Sequence, residues 1–250
     1  MARDEIERGV LALTGASAGL GRALTLAWAR PGARMAIAAR HAAALHEVAS
    51  LAEQKGAEVV AFPGDVRVAG FAKLFIEAAT TLGPVTHLVT NASSLGPVPL
   101  VPVADTPDEA WLEAVDVNLL GTVRLWREVL PAMESGRGGR LLAISSDAAV
   151  EAYPHWGAYG ATKAAVDHLV RILAQELATR AHAGVFVYGV DPGDMATAMH
   201  HAAIPDDDPA GLPDPRDVAP HLVRLLSRTP ALASGRYTVS DIRSLIGEAP

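Results

Sequence analysis

Cysteine is absent from the 250 residues. Disulfides and thiolate metal sites are therefore excluded, and the chain suits a reducing compartment, read here as the cytoplasm. A basic block is missing as well. Lys and Arg number 21 against 28 Asp and Glu, a formal charge of −7, which argues against nucleic acid as a partner. Long hydrophobic runs are also missing. The opening MARDEIERGVLALTG carries acids and no long apolar segment, so it is not read as a signal peptide. The uncharged stretch LVTNASSLGPVPLVPVA (88–104) is broken by Asn91, two serines and three prolines. It reads as a strand and a loop rather than a membrane span. No internal repeat and no dividing linker appears, so residues 1–250 are expected to form one domain.

What is present is a chain half apolar and one-fifth charged, a folded composition long enough for a sizeable core. Short apolar runs alternate with helix-length segments. Strands are expected at 10–14, 34–40, 58–66, 85–92, 139–146 and 185–193, with a last one in GRYTVSDI (235–242). Helices are expected from Gly19 to Arg30, over 41–56, 68–82, 157–180 and 215–228, and from Pro107 to about Met133. Thr106 and Glu109 are read as a capping box for the last of these. The strands are continuous apolar runs, the mark of a sheet covered on both faces. Their alternation with helices predicts a Rossmann-type, doubly wound α/β domain with seven parallel strands.

The first strand runs into TGASAGLGRA (14–23), with Gly15, Gly19 and Gly21 where strand becomes helix. Glycine there permits close approach of a ligand, and the free N–H groups of the helix start face an anion. The turn is therefore a candidate pyrophosphate site, involving Gly15, Ser17, Gly19, Leu20 and Gly21. The second strand ends in Ala39 and Arg40 rather than an acid. A guanidinium suits the extra phosphate of NADP(H), so NADP(H) is expected over NAD(H). Further on, HWGAYGATKAAVDHLV (155–170) sets Tyr159 and Lys163 four apart on a helix. Alone, the pair reads rather as plain helix surface on which the lysine stem lies along the ring.

These motifs, in this order, resemble the shorter, single-domain branch of the short-chain dehydrogenase/reductase family over about Gly9–Arg228. TGASAGLG matches that branch's glycine turn. Asp65 and Val66 in GDV match the acid stretch facing the adenine, and Asn91–Ala92 the Asn-Ala-Gly after the fourth strand. Asn118 matches the helix asparagine, Ser146 the serine thirteen residues before Tyr159, and YGATK the Tyr-x-x-x-Lys pair. Asp191-Pro192-Gly193 with Thr197 matches the loop meeting the nicotinamide. Two departures stand out: Ser93 replaces the family glycine, and the tail GRYTVSDIRSLIGEAP lacks the usual Asp-Gly-Gly.

The resemblance implies hydride transfer between NADP(H) and a ketone or aldehyde, giving an alcohol. Tyr159 would be the general acid/base and Lys163 its electrostatic tuner and a ribose ligand. Ser146 would hold the substrate oxygen, and Asn118 a water linking Lys163 to solvent. Bringing a phenol from ~10 to ~7 takes roughly 4 kcal/mol of anion stabilisation, which the neighbouring ammonium is expected to supply. The resemblance further implies a lid over residues 194–214, a small-molecule substrate and a homodimer or homotetramer. No metal is expected: His200 and His201 beside Asp206–Asp208 read as solvated loop surface. Trp156 and His155 are candidate pocket walls, with core packing or loop surface as alternatives. A silent NADP(H)-binding regulator and an enoyl-type reductase are the competing functions. The intact Ser146–Tyr159–Lys163 set argues against the first, and the Tyr-x-x-x-Lys spacing against the second.

Overall fold

The computed structural model describes residues 9–136, 138–180 and 184–247. The charged start MARDEIER and the last three residues of the tail lie outside that set. The strands are β1 (Val10–Thr14), β2 (Arg34–Ala39), β3 (Glu58–Pro63), β4 (Val85–Thr90), β5 (Gly139–Ile144), β6 (Val185–Asp191) and β7 (Gly235–Thr238). They form one seven-stranded sheet in the order β3-β2-β1-β4-β5-β6-β7, with every pairing parallel. Every residue of β1, β4 and β5 is buried, because helices cover both faces.

One face carries α1 (Gly19–Trp28), α2 (Ala42–Gln54) and α8 (Pro215–Ser227) over a core including Leu13, Leu24, Ile37, Leu45 and Leu222. The other carries α3 (Phe71–Thr80), α5 (Gly121–Ser135) and α6 (Gly157–Thr179) over Phe75, Leu88, Leu125, Leu141 and Val170. Two short helices, α4 (Asp108–Ala114) and α7 (Ala198–Ala203), lie outside these layers in sequence, and α9 (Val239–Leu245) follows the last strand. The strand order reverses between β1 and β4, which opens a crevice at the carboxyl ends of the strands.

Three local expectations are corrected. Thr106 forms no capping box: its Oγ1 donates to Pro102 O, and Pro107 is the extended cap before Asp108. The long helix after it is not continuous. A π-helical segment, Val115–Leu120, separates α4 from α5 and contains Asn118. The last strand stops at Thr238, where Thr238 Oγ1 accepts the Asp241 N–H and the Asp241 carboxylate accepts the Thr238 N–H. That reciprocal cap starts α9, whose apolar residues Val239, Ile242 and Leu245 stand three apart, at helical spacing.

His87 shows how tightly the sheet is closed. It is 1 % exposed, with Nε2 3.1 Å from Leu226 O and Nδ1 2.9 Å from Thr86 Oγ1. Burial, helped by the nearby Arg140 charge, pushes its pKa down to about 3. The folded chain keeps it neutral while the unfolded chain protonates it near 6.5, so this stability is present above pH 6.5 and fades toward pH 3. Urea unfolding of the parent and His87→Gln should show the parent's advantage shrinking by about 2 kcal/mol between pH 6.5 and 4.5.

Candidate active site

A cavity of about 520 Å³ fills the crevice, within the range of small-molecule and cofactor sites. At one end lies the glycine turn. Gly15 has φ of +71°, and a Cβ there would sit 2.6 Å from the Asn91 amide nitrogen. A Cβ on Gly21 would lie 2.0 Å from Gly15 O. Gly21 therefore acts behind the wall, letting α1 close on the turn, while Gly15, Ser17, Gly19 and Leu20 face the cavity. The Asn91 amide donates to Thr14 O and Gly15 O, both at 3.1 Å. Thr14 Oγ1 in turn accepts the N–H groups of Asn91 and Ala92.

Arg40 lines the same end and is exposed, as is expected of a group at the mouth of a groove. Asp65 and Val66 lie beside it. The Asp65 carboxylate is held by Arg67 through Nε and Nη2, at 2.8 Å for the closest pair, and its pKa is lowered chiefly by that hydrogen bond. Arg67 is a partner the sequence reading missed. A cradle of glycines against backbone, with a guanidinium at its outer end, fits a dinucleotide.

The other end of the cavity holds Ser146, Tyr159 and Lys163. Gly160 makes that convergence possible: a Cβ there would meet Ala148 O at 2.8 Å, so the segment after β5 rests on α6. Tyr159 is 8 % exposed and packs edge-on against Trp156, ring centroids 5.6 Å apart. Lys163 is 4 % exposed, donates to Ile144 O at 2.7 Å, and stands 5.4 Å from the Tyr159 ring centre. Trp156 lines the cavity, whereas His155 is exposed with φ of +74° and serves the turn into α6.

The electrostatics run against the expectation of a phenol already tuned by its lysine. Burial pushes the Tyr159 phenol up to about 12; the Ser146 hydroxyl opposes this, while Asp147, Asp191 and Asp194 add to it. Burial pushes Lys163 down to about 8, opposed by Asp167. In the resting chain both groups are driven toward their neutral forms.

Asn118 lies behind the wall rather than on it. Its amide donates to Ser94 O and Thr162 Oγ1, both at 2.9 Å, and its Oδ1 accepts from Ser94 N and Ser93 Oγ. Ser93, the residue replacing the family glycine, thus spends its hydroxyl on Asn118. Asp147 was also missed: its carboxylate accepts the hydroxyls of Ser146 at 2.9 Å and Tyr153 at 2.8 Å. Pro192, Gly193 and Thr197 line the rim, and Thr197 Oγ1 caps α7 by accepting the His200 N–H. His200 is not loose surface: its side chain is 10 % exposed and sits 2.7 Å from Asp207 and 3.5 Å from Asp194. Among the described residues no group of three or more His, Asp or Glu could hold a metal ion.

The profile of the family described as short chain dehydrogenase matches residues 9–208. The chain belongs to that family. A short-chain type dehydrogenase/reductase of Picea abies is 37 % identical over 204 residues, covering 77 % of this chain and 73 % of its own. A short-chain dehydrogenase structure from Escherichia coli CFT073, complexed with NADPH, superposes with a TM-score of 0.82 at 27 % identity, covering 92 % and 96 % of the two chains. A 7α-hydroxysteroid dehydrogenase structure, complexed with NADH and 7-oxo glycochenodeoxycholic acid, gives 0.82 at 28 % identity, covering 93 % of each. The family is one of oxidoreductases, and its solved members include both cofactor types.

Lys163 gives this site a measurable signature. Its pKa falls to about 8 in the fold against 10.5 unfolded, so the unfolded chain binds the extra proton. Stability from this group is therefore full above pH 10.5 and lost as pH falls to 8. At pH 7 the buried ammonium costs about 3 kcal/mol, so Lys163→Met should unfold at higher urea than the parent, with the gap closing by pH 10.

Proposed function

We propose that this short-chain dehydrogenase is an NADP(H)-dependent oxidoreductase interconverting a ketone or aldehyde and an alcohol. The observation carrying this reading is the single cavity joining the glycine turn and Arg40 to Ser146, Tyr159 and Lys163. The glycine turn, Asn91, Ala92 and the Pro192–Gly193 rim hold the dinucleotide, whose reduced nicotinamide supplies the hydride. Arg40 binds the ribose phosphate, in keeping with the NADPH found in the superposed Escherichia coli structure.

The chain's own groups handle the proton. Ser146 orients the substrate oxygen beside the phenol. Tyr159, with its pKa near 12, stands protonated at neutral pH and is already the donor that a nascent alkoxide requires. Oxidation asks the reverse, and then Lys163 and any cationic group beside it must lower the phenol. Asn118 holds its helix and loop together rather than facing the cavity, so its part is to fix Thr162 and the Ser93–Ser94 backbone against α6. Residues 194–214 act as a lid, with α7 tied by His200 to Asp207. The whole chain acts as one catalytic domain in the cytoplasm, as a homodimer or homotetramer. Among the described residues no helix is long and apolar enough to cross a membrane.

The test follows nicotinamide absorbance with NADPH and NADH over a panel of ketones and aldehydes. Tyr159→Phe should keep NADPH affinity within about threefold and lose at least about a thousandfold in kcat, the upper part of the range for acid–base groups. Arg40→Ala should weaken NADPH about tenfold or more and leave NADH nearly unchanged. Full turnover in Tyr159→Phe would refute the acid/base assignment. NADPH binding without turnover on any carbonyl would favour the regulator.

A further inference from the structure

We propose that Arg236, on the last strand, is a positioning residue that locks the Ser146 segment, the Tyr159–Lys163 helix and the Asp191–Gly193 turn in one register. The inference rests on the catalytic reading above. Arg236 lies beyond the residues 9–208 that the family profile covers.

Its guanidinium reaches three segments at once. Nε donates to Asp167 Oδ2 at 2.7 Å, and Nη2 donates to Ser146 O at 3.1 Å and to Asp191 Oδ2 at 3.2 Å. The side chains of Asp167, Asp191 and Arg236 are 4 %, 10 % and 23 % exposed. Asp167 lies one helical turn beyond Lys163, itself one turn beyond Tyr159. The other oxygen of Asp191 accepts the Gly193 N–H at 3.0 Å, fixing the turn at the cavity rim. The sheet register supplies the corridor: Arg236 pairs with Gly189 on β6, where a Cβ would lie 3.0 Å from Asp167 Oδ1.

A planar fork suits this task and an ammonium does not. Lysine carries one point charge, whereas arginine presents donors in fixed directions to several acceptors. Without the fork, two buried carboxylates lose their shared cation, and an unpaired buried charge is strongly destabilising. The effect reaches the phenol. The charged groups around Tyr159 are Lys163 on its own helix, Asp147 after β5, Asp191 at the end of β6 and Asp194 after it. Arg236 offsets Asp191, so its loss leaves the phenol facing more uncompensated negative charge, which favours the protonated form.

The experiment uses the full chain, with Arg236→Met and Arg236→Lys beside the parent and Tyr159→Phe. Readouts are thermal midpoint, NADPH affinity by nicotinamide fluorescence, kcat, and the pH profile of alcohol oxidation. In Arg236→Met, kcat should fall about tenfold, as small misplacements of catalytic groups do. Its alkaline-side rise in oxidation rate should move up by about half a pH unit or more. Arg236→Lys restores the charge without the fork. Its profile should return to the parental position, while kcat stays several-fold low. A purely structural arginine would lower the thermal midpoint and leave the pH profile in place. Folded Arg236→Met with kcat within twofold of the parent and an unmoved profile would overturn the proposal. If Arg236→Met does not fold, Arg236→Lys decides alone, and kcat within twofold of the parent would overturn it. A parent without turnover, or with turnover unaffected by Tyr159→Phe, would instead bring down the catalytic reading on which this rests.

Discussion

The amide of Asn91 joins the two halves of this fold where the strand order reverses. It donates to Thr14 O and Gly15 O across the β1–β4 boundary, and the Thr14 hydroxyl accepts the backbone N–H groups of Asn91 and Ala92. A carbonyl at the end of a buried parallel strand has no partner within the sheet once the next strand turns away. Leaving it unpaired costs about 1–3 kcal/mol. The asparagine satisfies two such groups, and in doing so fixes the positive-φ glycine from which the cavity floor is built. Gly15, Gly21 and Asn91 form one contact: the room that Gly21 leaves is filled by Gly15 O and the Asn91 amide together.

The same crevice brings the catalytic candidates into apolar surroundings, and that burial works against charge in both directions. It raises the Tyr159 phenol and lowers the Lys163 ammonium. An ammonium beside a phenol is often read as a tuner that makes the phenol acidic. Here its proton is directed to Ile144 O, and three carboxylates stand around the ring. Desolvation wins over the Ser146 hydrogen bond that opposes it.

Much of this was legible in the sequence, for identifiable reasons. Continuous apolar strands and helix-length intervals specify a covered parallel sheet; the glycine turn lies within one short run of chain between β1 and α1, and the Tyr-x-x-x-Lys pair within one helix. What escaped was set across elements. The Asp147–Ser146–Tyr153 contact, the Asp65–Arg67 pair and the Arg236 fork join residues from 1 to 90 positions apart. The short ones depend on side-chain direction in loops and the long ones on strand order, neither of which the motifs carry. VSDIRSL carries Val239, Ile242 and Leu245 three apart, a helical spacing that the strand reading of GRYTVSDI overlooks, and the two-bond cap at Thr238 and Asp241 starts the helix there. Thr106 with Glu109 carries the matching motif without the geometry, because the proline after it sets an extended cap.

In the proposed reaction the phenol and the ammonium, both pushed toward neutrality by burial, have different parts in the two directions. Donating a proton to a nascent alkoxide needs no prior adjustment, because the phenol already holds its proton. Abstracting one from an alcohol needs positive charge to lower the phenol, which burial and the charges of Asp147, Asp191 and Asp194 raise. The acids are not incidental: Asp147 orients the Ser146 hydroxyl, and Asp191 anchors the Gly193 turn. They cannot be removed without loosening the site, so their field must be offset in place. Arg236 does this for Asp191 from behind the wall, where it takes no room from a ligand. The tail, which lacks the family's Asp-Gly-Gly, thus contributes a counter-charge to the Asp191 turn in front of it.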